Sequence, residues 1–82
     1  MNAVNVIIIK DDLVDNATLF LGNDAKEKAE SYFVEMLKQN LSNFEEYTYN
    51  DILACLDLGY EKFGNGSICI TSPDILTNPE KI

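Results

Sequence analysis

The 82-residue chain has no arginine, no histidine and no tryptophan, only two cysteines and two prolines, and six lysines against fourteen Asp and Glu. Each shortage closes off a kind of chemistry. Without histidine there is no side chain whose ordinary pKa lies near neutrality, so acid–base catalysis loses its commonest agent. Without arginine there is no planar fork to grip phosphate or carboxylate on both oxygens. The scattered lysines do not form the concentrated basic surface that displaces counterions from DNA or RNA. Cys55 and Cys69 are not spaced as a redox Cys-x-x-Cys pair, and with no histidine they cannot complete a Cys/His zinc site.

Long apolar runs are missing as well. Residues 6–9 are unbroken Val and Ile, far short of the about 20 residues that span a bilayer. No basic segment leads into an apolar one at the start, so the sequence predicts no signal peptide and a cytoplasmic setting in which both cysteines are free, buried thiols. It also predicts a protein that is not an enzyme, needs no cofactor or metal, and touches neither nucleic acid nor membrane directly.

What is present is a dense apolar fraction, 46%, with a net charge of −8. That suffices for one small core, although a domain of this length buries only about 60–65% of its extended-chain surface and has a thin margin of ~5 kcal/mol. The charge favours basic partners, because the summed field steers association.

Element signals run along the whole chain. In residues 4–10, Val4, Val6 and Ile8 share one face and Ile7 and Ile9 the other, as in a strand. Residues 11–16 are rich in Asp and Asn and read as an acidic loop, after which residues 17–21 alternate again; a hairpin follows. Asp24 with Glu27 has the spacing of a capping box. Ala25, Ala29, Tyr32, Phe33, Met36 and Leu37 then recur at helical steps, predicting an amphipathic helix to about Asn40. Phe44, in the following connection, is expected against the core. Thr48 with Asp51 marks a second helix start, and the stripe Ile52, Leu53, Leu56, Tyr60, Phe63 extends that helix through Gly59 to a stop at residues 64–66. Residues 67–71 form the last strand.

The expected architecture is therefore α+β: a three-stranded sheet in β-β-α-α-β order with two helices packed on one face. Residues 1–73 make a single domain and residues 74–82 a polar tail. With both helices on one face, the other face is either wet or covered by a partner. Either Ile7 and Ile9 or the residues opposite them would contribute to an apolar patch there, or the tail or residues 42–47 fold over it.

Candidate interaction residues fall into two groups. Asp11, Asp12 and Asp15 form an acidic loop that lacks the alternating oxygen ligands, central glycine and closing glutamate of a calcium-binding loop. It is either a solvated turn or a negative contact patch. The second group is Glu45, Glu46, Asp51, Asp57 and Glu61, with Asp57 and Glu61 four apart and hence on one helix face. Tyr47 and Tyr49 lie beside it, either as a staple around the helix cap or as an aromatic–acidic rim suited to a basic surface.

In size, charge and missing catalytic groups, the whole chain resembles small phage-encoded proteins that neutralise host defences or toxins, such as anti-CRISPR proteins and antitoxins. No single motif carries that likeness. It implies a stoichiometric inhibitor of a larger, basic, nucleic-acid-handling protein, with Asp11, Asp12, Asp15, Glu45, Glu46, Asp57 and Glu61 steering by charge and Tyr47 and Tyr49 packing. The alternative is a structural or regulatory homodimer joined through the uncovered sheet face or an exposed strand edge.

Overall fold

A computed structural model describes residues 2–71. The alternation of the first segment is realised in β1 (Ala3–Lys10), where Val6 and Ile8 are buried and Ile7 and Ile9 are half-buried on the opposite face. β2 (Leu13–Leu21) runs back antiparallel to it. The loop expected over residues 11–16 is in fact a two-residue turn: Asp11 and Asp12 both adopt left-handed φ, 53° and 66°, and Leu13 already belongs to β2. Positive φ at both central positions matches the right-handed twist of the flanking strands, and short Asp side chains tolerate it better than most. A bulge where the register shifts between Ile8 and Ile9 accommodates the extra residue on β2.

α1 (Ala25–Asn40) follows the predicted stripe and buries Ala25, Ala29, Phe33 and Leu37. Its start departs from the capping-box expectation. Asp24 makes no side-chain bond to the helix end, and its carboxylate instead lies 3.3 Å from Lys28 Nζ. Beyond Leu41 a short 3-10 turn (Phe44–Glu46) lays Phe44 against the core, as the sequence predicts.

α2 (Tyr49–Leu58) begins with the anticipated cap. Thr48 Oγ1 accepts from Asp51 N at 3.1 Å, and Asp51 Oδ2 accepts from Thr48 N at 2.9 Å. Its end overturns the longer helix. Gly59 takes φ 71°, its N–H bonds to Cys55 O, and the chain leaves as β3 (Tyr60–Phe63). A left-handed glycine just past the last turn is a common helix stop, because no Cβ opposes it. Tyr60 and Phe63 therefore sit on a strand rather than in a helical stripe; Phe63 is buried while Tyr60 is exposed.

β3 turns through Gly64 and Asn65 into β4 (Gly66–Thr71), so the sheet has four strands instead of three, in the order β2-β1-β4-β3, antiparallel throughout. The α+β class holds; the element order becomes β-β-α-α-β-β. At Gly66 a Cβ would stand 1.9 Å from the Ile9 carbonyl oxygen, so the close pairing of β4 with β1 requires glycine there. The two turns are also tied together, Asp11 N donating to Asn65 O at 2.9 Å and Asn65 Nδ2 to Asp11 Oδ1 at 3.1 Å.

Both helices contribute to one core on one face of the sheet. Phe33 and Leu37 of α1 and Cys55 of α2 pack with Val6, Ile8, Phe63 and Ile68. Full burial of a side chain such as Phe33 contributes about 1.5–3 kcal/mol. The boundary expected at residue 73 and the tail of residues 74–82 lie outside the described residues.

Candidate functional site

The end of α2 at Gly59 decides where the acidic side chains go. Along β3, Tyr60 and Lys62 face one way and Glu61 and Phe63 the other, toward the helices, with Glu61 opposite Ile68 of β4. Glu61 thus leaves the face it was expected to share with Asp57. It comes instead beneath the start of α2, where Tyr47 Oη donates to Glu61 Oε2 at 2.5 Å. The Tyr47 ring is fixed from behind by Phe44, with centroids 6.1 Å apart and planes 13° from parallel. The Thr48–Asp51 capping box holds the first turn of α2 beside it.

The result is a cleft of about 450 Å³ lined by Asn43, Glu46, Tyr47, Asp51, Cys55, Tyr60 and Glu61, together with Ala54 and Leu58. Three carboxylates and the Tyr47 phenol line it, and no lysine is among its lining residues. The proton on Tyr47 is held tightly: its hydrogen bond to Glu61, with burial and the negative charge of Glu61 adding to it, pushes its pKa up to about 12. Burial, followed by the charge of Glu61, pushes the Cys55 thiol up to about 11. Neither group is a nucleophile at neutral pH, because it is the thiolate or phenolate that attacks. What the arrangement offers is negative potential and hydrogen-bond acceptors beside an aromatic wall. Among the described residues, no group of three or more His, Cys, Asp or Glu side chains converges so as to hold a metal ion.

The sequence-selected residues divide accordingly. Glu46, Tyr47 and Glu61 line the cleft, and Asp51 joins them as both cap and wall. Glu45 and Tyr49 are exposed beside it, Tyr49 at 75%, without lining it. Asp57 lies in a separate groove of about 760 Å³ with Lys26 and Glu30, floored by Val4, Leu56 and Ile70. Asp11 and Asp12 occupy the tight turn, and Asp15 pairs with Lys10 at 3.7 Å. Cys55 and Asn43 were not singled out as site residues. Cys55 could have been placed there only by recognising Gly59 as the helix stop that folds β3 back under α2.

Both cysteines are free thiols; Cys55 is buried and Cys69 half-buried on the open sheet face. No described helix is long and apolar enough to cross a membrane. The chain matches no family model, no curated protein and no solved structure.

Proposed function

We propose that this chain is a non-enzymatic, acidic protein-binding domain that acts by occupying the basic surface of a larger partner. The observation that carries the reading is the convergence of Glu46, Tyr47, Asp51 and Glu61 on one lysine-free cleft. A lysine or arginine side chain entering it would meet carboxylates as charge-assisted acceptors and lay its alkyl stem along Tyr47. The net charge of −8 would draw such a partner in, and Glu45 and Tyr49 flank the mouth as further contacts. Asp11, Asp12, Asp15 and Asp57 then contribute to the field rather than to the contact.

The raised pKa values of Tyr47 and Cys55 support binding over turnover, since both groups stay protonated at the cleft. Small size and negative charge suit a stoichiometric antagonist of a nucleic-acid-handling protein, whose cationic channel an acidic domain would fill. This is the role that the resemblance to anti-CRISPR proteins and antitoxins implies.

The test is capture of host proteins by the immobilised chain at low and high salt, beside a Glu45→Lys/Glu46→Lys variant. Both substituted residues are exposed and outside the capping box, so the fold is retained. The expected result is a partner that high salt releases and that the variant binds about tenfold more weakly. Partners bound equally by the variant and retained in high salt would reject the reading.

A further inference from the structure

The acidic cleft lies against β3, at one margin of the sheet; the opposite margin is β2, and among the described residues no strand lies beyond it. β2 is nine residues long, and its exposed large side chains are apolar: Leu13, Val14, Leu19 and Leu21 are each more than half exposed. Val14, Leu19 and Leu21 share the open face of the sheet, opposite Ile9, Asn5 and Ala3, while Leu13, opposite Lys10, lies toward the helix side. The three offer on the order of 300 Å² of apolar surface, within the range of the largest patch on a monomer, which is often functional. The β3 margin is protected by comparison. It is four residues long and carries Glu61 and Lys62, and short, charged edges resist pairing. β2 has no lysine and no proline, and its single charge, Asp15, is matched by Lys10. Its bulge lies at the Asp15 end, leaving residues 16–21 in regular register with β1.

We infer that β2 is a self-pairing edge through which two copies of this chain join antiparallel, continuing the sheet across a two-fold axis. Charge selects the occupant. A basic partner drawn by the field gains nothing from an uncharged apolar strand, whereas an identical strand matches it. A second copy carrying −8 is repelled elsewhere on the surface but not along this neutral margin. Antiparallel pairing of one strand with itself is symmetric, so leucine meets apolar neighbours on both sides of the axis. The area joined is at the low end for stable interfaces, roughly 1,000 Å² over both copies, which makes the dimer reversible. The pairing is independent of the cleft, which stays open at the far margin of each sheet.

Sedimentation equilibrium of the full chain from micromolar to millimolar concentration tests this. The expected outcome is a monomer–dimer equilibrium with a dissociation constant of ~10–100 µM, tightened by salt because salt screens the repulsion between copies. Leu19→Lys should weaken it at least about tenfold with an unchanged circular dichroism spectrum, while Tyr60→Lys at the other margin leaves it intact. A chain that is monomeric at millimolar concentration and high salt overturns the inference, as does a dimer sensitive to Tyr60→Lys but not to Leu19→Lys. Should Leu19→Lys fail to fold, amide hydrogen exchange of the wild type decides. Protection in residues 16–21 that grows with concentration supports the pairing, and its absence rejects it.

Discussion

In the β3–β4 hairpin nearly every side chain on the helix side is engaged elsewhere. Phe63 is in the core, Glu61 holds Tyr47, and Gly66 lies directly against the Ile9 carbonyl. In the β1–β2 hairpin, β1 is held on both sides by neighbouring strands, but β2 places Phe20 against the core and leaves Leu13, Val14, Leu19 and Leu21 exposed. The same antiparallel hydrogen bonding thus yields one edge strand, β3, clamped by its side chains, and another, β2, anchored on its helix side by Phe20 and by the Asn16 and Thr18 contacts to Tyr32 but free on its open face. Substitutions at the clamped positions should cost folding stability, and on the open face of β2 they should cost mainly whatever the exposed apolar surface is for.

The sharpest contrast lies within a single turn. Gly66→Ala places a methyl group 1.9 Å from a backbone oxygen that cannot move without breaking the β1–β4 register. A loss of about 4 kcal/mol or more is expected in urea unfolding, near the whole margin of a domain this small. Gly64→Ala meets nothing within 4 Å, and its change should stay within about 1 kcal/mol. Equal effects at the two positions would mean that β4 does not approach β1 so closely.

Next in size is the comparison across the hairpins. Phe63→Ala opens a cavity in the core and should cost about 3–5 kcal/mol. Leu21→Ala, at a half-exposed position of β2, should change the monomer's stability by less than about 1 kcal/mol. A large loss at Leu21 in a monomeric sample would show that β2 is clamped after all.

The cap of α2 belongs to the same clamp, because it fixes the helix under which Glu61 and Phe63 are held. Thr48→Ala should cost about 1 kcal/mol by removing the bond to Asp51 N. Asp24→Ala at the start of α1 removes only an exposed ion pair with Lys28 and should cost about 0.5 kcal/mol or less. Parallel thermal melts of the two variants measure the difference.

How much of this could be read from the chain follows from how local each signal is. The alternation of Val4, Val6 and Ile8, the stripe from Ala25 to Leu37 and the Thr48–Asp51 pair each act within a few residues, and each is realised in the structure. β3 was hidden because Tyr60 and Phe63 stand three apart and mimic the continuation of a helical stripe through Leu56. A four-residue strand is too short to assert its own period. Only the stop at Gly59 separates the two cases, and glycine within a helix pattern is ambiguous. The site inherits that ambiguity. Glu46, Tyr47 and Asp51 are near neighbours in sequence, but Glu61 reaches them only once the chain reverses at Gly59. In the first turn, Asp11-Asp12 lacks the glycine that usually marks a two-residue hairpin, so the acidic stretch looked longer than it is.

The smallest effect at neutral pH, and the most specific to the clamped side, is its alkaline limit. Tyr47 is raised from 10.0 to about 12, chiefly by its hydrogen bond to Glu61, and Cys55 from 9.0 to about 11, chiefly by burial. Both favour the protonated form in the folded state. Their contribution is therefore complete below the unfolded values and is lost as pH rises through the folded ones. Stability should hold to about pH 9 and then decline toward about pH 12, Cys55 acting over the lower part of that window and Tyr47 over the upper. Tyr47→Phe keeps the ring beside Phe44 but has no proton to lose. It should start slightly less stable at pH 8, lacking the bond to Glu61, and then decline less steeply than the wild type. Urea midpoints measured at intervals from pH 8 to 12 separate the two curves. Parallel curves would mean that Tyr47 does not hold Glu61, and the cleft would lose the contact that shapes its wall.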